Sequence, residues 1–245
     1  MSKERLDVLV QRQLGVSRSK AQGLIHTGHV SGEDGALLDK PGARFPRDTV
    51  FVVSEDAAYV SRGGEKLEAG LRAFACPVEG RVAIDVGAST GGFTDCLLAH
   101  GASRVYAVDV GYGQLAWKLR QDPRVVVLER TNIRYLEADQ LQERPSLFTV
   151  DCSFISVRLV LEPLKALLAD AAQGLVLIKP QFEAGRERVG KGGVVRDAAV
   201  HAQVIEDVRD AVEALGFDWR GVVPSPLLGP AGNREFLAHL CVGRA

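Results

Sequence analysis

From residue 77 onward the chain alternates short apolar runs with longer helix-like stretches, and this rhythm limits its fold more than any single residue does. "RVAIDVGA", "RVYAVDV", "RVVVLER", "LFTVDCSF" and "GLVLIKP" are five such runs. They read as buried strands. "VRLVLEPLKALLADAAQ" and "DAAVHAQVIEDVRDAVEALGF" are the clearest helical stretches. Strands alternating with helices lead to a mainly parallel, doubly wound sheet. The end of the chain breaks the rhythm. "DWRGVVPSPL" and "REFLAHLCVG" read as two strands joined by a Gly/Pro/Asn loop, an antiparallel pair at the sheet's edge. The expected core is therefore α/β and Rossmann-like, with seven mainly parallel strands and an antiparallel last one.

Residues 1–53 have a different texture. "ERLDVLVQRQL" puts Leu6, Leu9, Val10 and Leu14 on one helical face. "SRSKAQGLIHTG" reads as a second helix, with Ser17 as N-cap and Gly28 closing it. Small strands and turns follow, ending in a strand from Thr49 to Val53. Residues 1–29 hold five Lys/Arg (Lys3, Arg5, Arg12, Arg18, Lys20) against two acids (Glu4, Asp7). Such a basic front is either a phosphate-binding surface or a solvated helical face.

Several classes are disfavoured. A formal net charge of −1 over 245 residues gives no global nucleic-acid signature, although a local basic face is compatible with it. Cys76, Cys96, Cys152 and Cys241 are scattered and form no CxxC pair, so they read as small buried residues rather than disulfides or zinc ligands. The charged start is no signal peptide, and no apolar run approaches the ~20 residues of a membrane span. The expectation is a cytoplasmic protein with no membrane partner and no metal.

"IDVGASTGGFTD" follows a strand and opens a helix, the context that gives a glycine-rich turn meaning. Gly87, Gly91 and Gly92 let backbone approach a ligand at the helix amino terminus. Asp109 ends the next strand, where an acid can take a ribose diol. So far NAD and S-adenosylmethionine (SAM) fit equally. The spacing, however, is G-x-x-x-G-G rather than G-x-G-x-x-G. Asp85 would also repel a pyrophosphate while suiting a cationic amino-acid moiety. SAM is favoured.

Charged residues gather at the strand ends. Asp151 ends the fourth strand in "TVDCSFISV", Lys179 ends the fifth, and Glu235 starts the last in "GNREF". Lys66 lies in the helix before the first strand, within "SRGGEKL". A doubly wound sheet brings these ends together beside the ligand crevice. Two lysines and two carboxylates converging there make sense as pairs.

These residues carry a resemblance. Residues 77–245 resemble the FtsJ-like ribose 2'-O-methyltransferases, whose Lys-Asp-Lys-Glu tetrad falls on Lys66, Asp151, Lys179 and Glu235. The whole chain resembles the TlyA family of rRNA cytidine-2'-O-methyltransferases, also called haemolysin A. "DVGASTGGFTD", "DVGYGQLAWKLR", "ERTNIR", "DCSFISV", "LIKPQFEAGRERVGKGGVVRD" and "GPAGNREF" carry that likeness. The front resembles an S4 RNA-binding domain through "RLDVLV", "SRSKAQGLI" and "GHVSG", with the usual V-x-V-N-G altered to "VSGEDG".

The resemblance implies an S4-like domain over residues 1–56, a linker over 57–64 and a SAM-dependent methyltransferase domain over 65–245. It implies SAM contacts from Asp85, Gly87, Ser89, Thr90, Gly91, Gly92, Phe93, Asp109 and Asn132. Arg5, Arg12, Arg18, Lys20 and Arg62 would meet RNA, and ribosomal RNA or ribosomal subunits would be the partner. Lys179 would take the proton of a ribose 2'-hydroxyl. It can do so only when neutral, which asks for a pKa lowered by burial and by a cation such as Lys66. Asp151 would orient Lys179, and Glu235 would hold Lys66 or the ribose. The rival readings are a non-catalytic S4-type ribosome-assembly protein, a Rossmann oxidoreductase, and the haemolysin that the family label suggests.

Overall fold

The computed structural model describes residues 3–33, 35–53 and 58–243. The expected boundary between residues 56 and 57 lies outside them. The chain divides into two compact units, Met1–Arg62 and Gly63–Ala245.

The first unit runs β1 (Lys3–Arg5), α1 (Leu6–Leu14), α2 (Arg18–His26), β2 (Val30–Gly32), β3 (Arg44–Pro46) and β4 (Phe51–Val53). β1 pairs with β3 and β2 with β4, both antiparallel. The apolar stripe of α1 does what its spacing demands: Leu6, Leu9 and Val10 are buried with Ala21, Ile25, Val30 and Phe51, and Leu14 packs at the edge. Each of the Leu, Val, Ile and Phe side chains among these, fully buried, stabilises by about 1.5–3 kcal/mol. Gly15 ends α1 in the left-handed region, and the Ser17 hydroxyl caps α2 by accepting from the Lys20 amide at 3.2 Å. β4 starts at Phe51 rather than Thr49, because the Thr49 amide closes a turn on the Pro46 carbonyl at 3.1 Å.

The second unit runs α3 (Gly63–Ala73), β5 (Val82–Val86), α4 (Gly92–Ala99), β6 (Arg104–Val108), α5 (Trp117–Arg120), β7 (Val125–Leu128), β8 (Leu147–Val150), α6 (Arg158–Leu167), β9 (Gln173–Ile178), α7 (Pro180–Glu183), α8 (Ala198–Ala214), β10 (Phe217–Pro224) and β11 (Phe236–Val242). The seven strands lie in the order β10-β11-β9-β8-β5-β6-β7. β5 to β9 pair in parallel, and β11 runs antiparallel to both β9 and β10. One apolar layer, including Ile84, Phe148, Val176, Leu161, Leu164, Val208 and Val212, packs α6 and α8 onto one face of the sheet. α6 stops at Leu167, short of the expected Gln173. The chain turns there, with the Ala172 amide on the Ala169 carbonyl, so that Gln173 can open β9.

Candidate active site

Three neighbouring strands present one charged residue each at the same end of the sheet. Val86 of β5 lies opposite Val150 of β8, and the Asp151 amide bonds the Val86 carbonyl at 2.9 Å as the strand ends. Phe236 of β11 pairs with Ile178 of β9, which places Glu235 and Lys179 opposite each other one step beyond the ladder. Pro180 starts α7 directly after Lys179, as its missing amide donor requires. Lys66 joins from α3.

The four residues form two ion pairs. Lys66 Nζ lies 2.6 Å from Glu235 Oε2, and Lys179 Nζ lies 2.5 Å from Asp151 Oδ1. The pairs also feel each other. Burial works against the Asp151 carboxylate, yet Lys179 and then Lys66 hold its pKa below the ordinary value. Burial likewise works against a charged Lys179, but Asp151 and Glu235 outweigh it and raise the amine above the ordinary lysine value. The expectation of a lowered Lys179 pKa is therefore corrected: two carboxylates face the amine, and Lys66, the lysine expected to lower it, is paired with Glu235. The second oxygen of Glu235, Oε1, is buried without a hydrogen-bond partner.

The glycine turn sits beside this tetrad. Gly87 has φ +87°, and a Cβ there would stand 2.6 Å from the Asp151 carbonyl oxygen, so glycine lets the two strand ends touch. Gly91 has φ +96° and packs so closely under Leu119 that a Cβ there would collide with Leu119 Cδ1. Gly92 and Phe93 are buried in the first turn of α4. Ser89 is exposed and Thr90 half-buried at the rim.

Asp109 spans the turn: one oxygen accepts from the Ser89 amide at 2.8 Å and the other from the Gly111 amide at 2.6 Å. Asn132 stands next to Thr131, whose amide bonds the Asp109 carbonyl, and its own side chain caps a short turn at the Arg134 amide.

Asp85, expected to meet a cationic ligand, is instead sealed. It is fully buried, accepting the Thr94 hydroxyl at 2.7 Å and the Thr149 hydroxyl at 2.9 Å. It thereby straps β5 to β8 and to the amino end of α4. Burial raises its pKa to about 6, against the pull of those hydroxyls.

The basic residues of the first unit are unequally free. Arg5 and Arg18 both hold the buried Asp7, at 2.9 and 3.0 Å, and Arg5 foremost keeps that carboxyl far below its ordinary value. Arg12 pairs with Glu4 at 2.6 Å, and Arg47 shares the same carboxylate. Lys20 is exposed and enters no ion pair among the described residues, while the Arg62 side chain lies over Gly28.

Sequence reasoning missed two residues here. The Ser153 hydroxyl accepts from Lys179 Nζ at 2.9 Å. Phe154 is 90% exposed at φ +65°, with its ring 5.1 Å from that of Phe182. An aromatic three residues past a candidate catalytic acid, in a loop rather than a strand, was the available signal. Among the described residues, no helix is long and apolar enough to cross a membrane, and no group of three or more metal-ligating side chains occurs. An open depression near Lys165 and Trp219 lies at the opposite end of β10 and β11 and shares none of these residues.

Known proteins resemble this chain over nearly its whole length. The sequence profile of the FtsJ-like methyltransferases matches residues 59–241. A candidate rRNA methyltransferase of Bacillus subtilis, YqxC, is 52% identical over 241 residues, covering 97% of this chain and 85% of that one. The 16S/23S rRNA (cytidine-2'-O)-methyltransferase TlyA of Mycobacterium tuberculosis is 47% identical over 234 residues, covering 95% of this chain and 87% of that one. Among solved structures, a candidate hemolysin of Streptococcus thermophilus superposes with a TM-score of 0.79 at 46% identity, covering 100% of this chain and 90% of that one. The chain belongs to the FtsJ-like methyltransferase family, among the relatives of TlyA.

Proposed function

We propose that the protein transfers a methyl group from SAM to the ribose 2'-oxygen of cytidine in ribosomal RNA of the small subunit, the large subunit or both. The observation that carries this reading is the pair of coupled ion pairs, Lys66–Glu235 and Lys179–Asp151, beside the glycine turn. A non-catalytic assembly factor would have no use for four charges held in register at the ends of three strands and a helix.

The crevice residues fit SAM. Asp109 offers carboxylate oxygens to a ribose diol, and the first-turn amides Gly92 and Phe93 of α4 have no intrahelical partner to satisfy them. SAM, when bound, supplies an electrophilic methyl group on a positively charged sulfur. Asp85 does not touch it in this reading. It fixes the turn from below.

Lys179 is the base of the reaction, and Asp151 and Ser153 aim its Nζ. In the resting protein it is an ammonium, so it must lose its proton before it can take one from the 2'-hydroxyl. A positive charge brought near it acts in the same direction as burial, toward the neutral amine. Glu235 holds Lys66 through Oε2, and its Oε1, buried beside Gly229, keeps an unused acceptor position. Residues 1–56 act as an S4-like RNA-binding domain, joined through residues 57–64, the last two of which already open α3, to the methyltransferase domain over 65–245. Incubating the protein with SAM and ribosomal subunits, then mapping 2'-O-methyl groups in the rRNA, tests the reading. Methylation at a cytidine ribose is expected, and its absence with both subunits and with free rRNA would overturn it.

A further inference from the structure

Between α7 and α8 the chain makes an excursion that the tetrad chemistry does not use. Residues 185–197, "GRERVGKGGVVRD", begin with the turn Arg186–Arg188 and fold back through a bridge between Gly190 and Val194. Gly192 and Gly193 turn the tip at φ +81° and +77°, a conformation side chains resist. Residues 190 to 193 are all exposed.

The root of this excursion is clamped. On the amino side, the Glu183 carboxylate accepts from the Ser156 hydroxyl at 2.7 Å and the Val157 amide at 2.8 Å. On the carboxyl side, the Asn233 side chain grips the backbone twice. Its oxygen accepts from the Val195 amide at 3.1 Å, and its nitrogen donates to the Gly193 carbonyl at 2.9 Å. The Val195 carbonyl lies 3.0 Å from His201 Nε2 of α8. Asn233 is buried and stands two residues before Glu235, while the excursion starts six residues after Lys179. Both ends are therefore tied to strand ends that carry the tetrad.

The charges on this clamped loop are unanswered. Arg186, Arg188, Lys191 and Arg196 are exposed, as is Arg234 beside the clasp, and none forms an ion pair with another described residue. Elsewhere in this unit Arg104, Arg120, Arg124, Arg158, Arg209 and Arg220 have carboxylate partners, while Arg81, Arg130, Arg134 and Arg144 lie on carbonyl or amide oxygens or aromatic rings. Of the two acids on the loop, Asp197 is turned to cap α8 at the Ala199 amide. Glu187 folds back over Gly185. Unpaired cations on a preorganised loop bind phosphate with little ordering cost and release counterions as they do so.

We propose that residues 185–197 form a phosphate-gripping arm that holds the RNA backbone beside the ribose being methylated, with Asn233 as the positioning residue that fixes its root. The inference rests on the rRNA reading above. It deepens that reading by naming which part of the catalytic domain grips the substrate strand. The arm and the tetrad share one frame, so gripping the backbone presents the hydroxyl.

The test uses the full chain carrying Arg188→Glu and Lys191→Glu, two exposed positions outside the tetrad. Binding to an rRNA fragment is measured by fluorescence anisotropy across a salt series, and SAM affinity by titration calorimetry. The expected result is RNA affinity lower by about ten- to a hundredfold, a log–log salt slope flatter by about one to two, and unchanged SAM affinity. Asn233→Ala keeps every cation, so a flatter salt slope in that variant reports lost presentation, whereas a lower Tm at an unchanged slope would reduce Asn233 to a packing role and overturn its assignment. RNA affinity and slope equal to wild type in the charge-reversed protein would overturn the arm. A wild type that binds RNA but transfers no methyl group would sink the function reading alone, since the affinity comparison still decides the arm.

Discussion

Lys179 Nζ stands 2.5 Å from Asp151 Oδ1, across the ends of two parallel strands that do not touch Lys66 in sequence or in the ladder. A carboxylate at that distance both aims the amine and keeps its proton on. The first of these helps a base and the second hinders it, so the pair sets the pH at which the site can work.

The expected consequence is an alkaline rise. If proton abstraction limits turnover, the rate should climb with pH as Lys179 loses its proton, with an inflection in the free enzyme above the ordinary lysine value of 10.5. Asp151→Asn removes the charge that favours the ammonium, so its inflection should move to lower pH while its plateau falls through lost aim. Lys179→Ala should lose about a hundred- to ten-thousandfold in rate. Lys179→Arg should fare little better, since guanidinium keeps its protons. pH–rate profiles of the wild type and the Asn variant decide this, and an inflection that stays put or rises would remove Asp151 from control of Lys179.

Asp85 predicts a stability effect of the opposite kind to a surface carboxylate. Its folded pKa of about 6 lies above the ordinary 3.8, so the folded state holds the proton more tightly than the unfolded chain does. The stability this gives is complete below about pH 3.8 and is lost as pH rises through about 6. Such a shift corresponds to roughly 3 kcal/mol. Asp85→Asn can keep both threonine contacts, because its amide donates where Thr149 can turn to accept. Thermal melts from pH 4 to 7 should therefore show wild type losing Tm relative to the variant. A difference between the two that does not change with pH would mean that Asp85 does not titrate there.

Much of this was legible in the sequence because periodicity reports burial. The five apolar runs became β5 to β9, and the register of β11 against β9 put Glu235 opposite Lys179 as the strand ends implied. Ionisation was not legible. Whether Lys179 gains or loses its proton depends on which carboxylates face it at a few ångströms, and chain order carries no distances. Asp85 misled for a related reason: an acid at a strand end looks available to a ligand, but Thr94 and Thr149, 9 and 64 residues away, had already taken its oxygens.

Phe154 offers a prediction from strain and exposure together. A residue with a β-carbon at φ +65° is held against its preference, and a phenyl ring 90% exposed gains little from folding beyond its contact with Phe182. It stands one residue after Ser153, which touches Lys179, so a nucleotide presented to that lysine would bring its base within reach of the ring. Stacking of this kind is worth about 1–3 kcal/mol per base. Phe154→Ala should cut methyl transfer by about ten- to a hundredfold, leave SAM affinity alone and leave Tm unchanged or slightly higher. Full activity in that variant would show that the ring waits for no base.

The basic front of the chain yields a ranking rather than a yes or no. Arg12 shares Glu4 with Arg47, and Arg5 and Arg18 share Asp7, so each of these cations is partly answered before RNA arrives. Lys20 is exposed without an ion pair among the described residues. A phosphate that displaces no carboxylate binds at the lower cost, and each phosphate contact contributes about 0.7–0.9 to the log–log salt slope. Lys20→Ala in the full chain should therefore flatten the slope by nearly one contact, while Arg12→Ala should flatten it by less. SAM affinity should hold in both. Arg5→Ala should instead lower Tm, since it removes part of the charge that keeps Asp7 ionised in a fully buried place. Salt-dependent rRNA binding and thermal melts on the three variants settle the order. A slope that drops as much for Arg12 as for Lys20 would mean that RNA breaks the Glu4 pair on binding, and the front would then be a switchable surface rather than a fixed one.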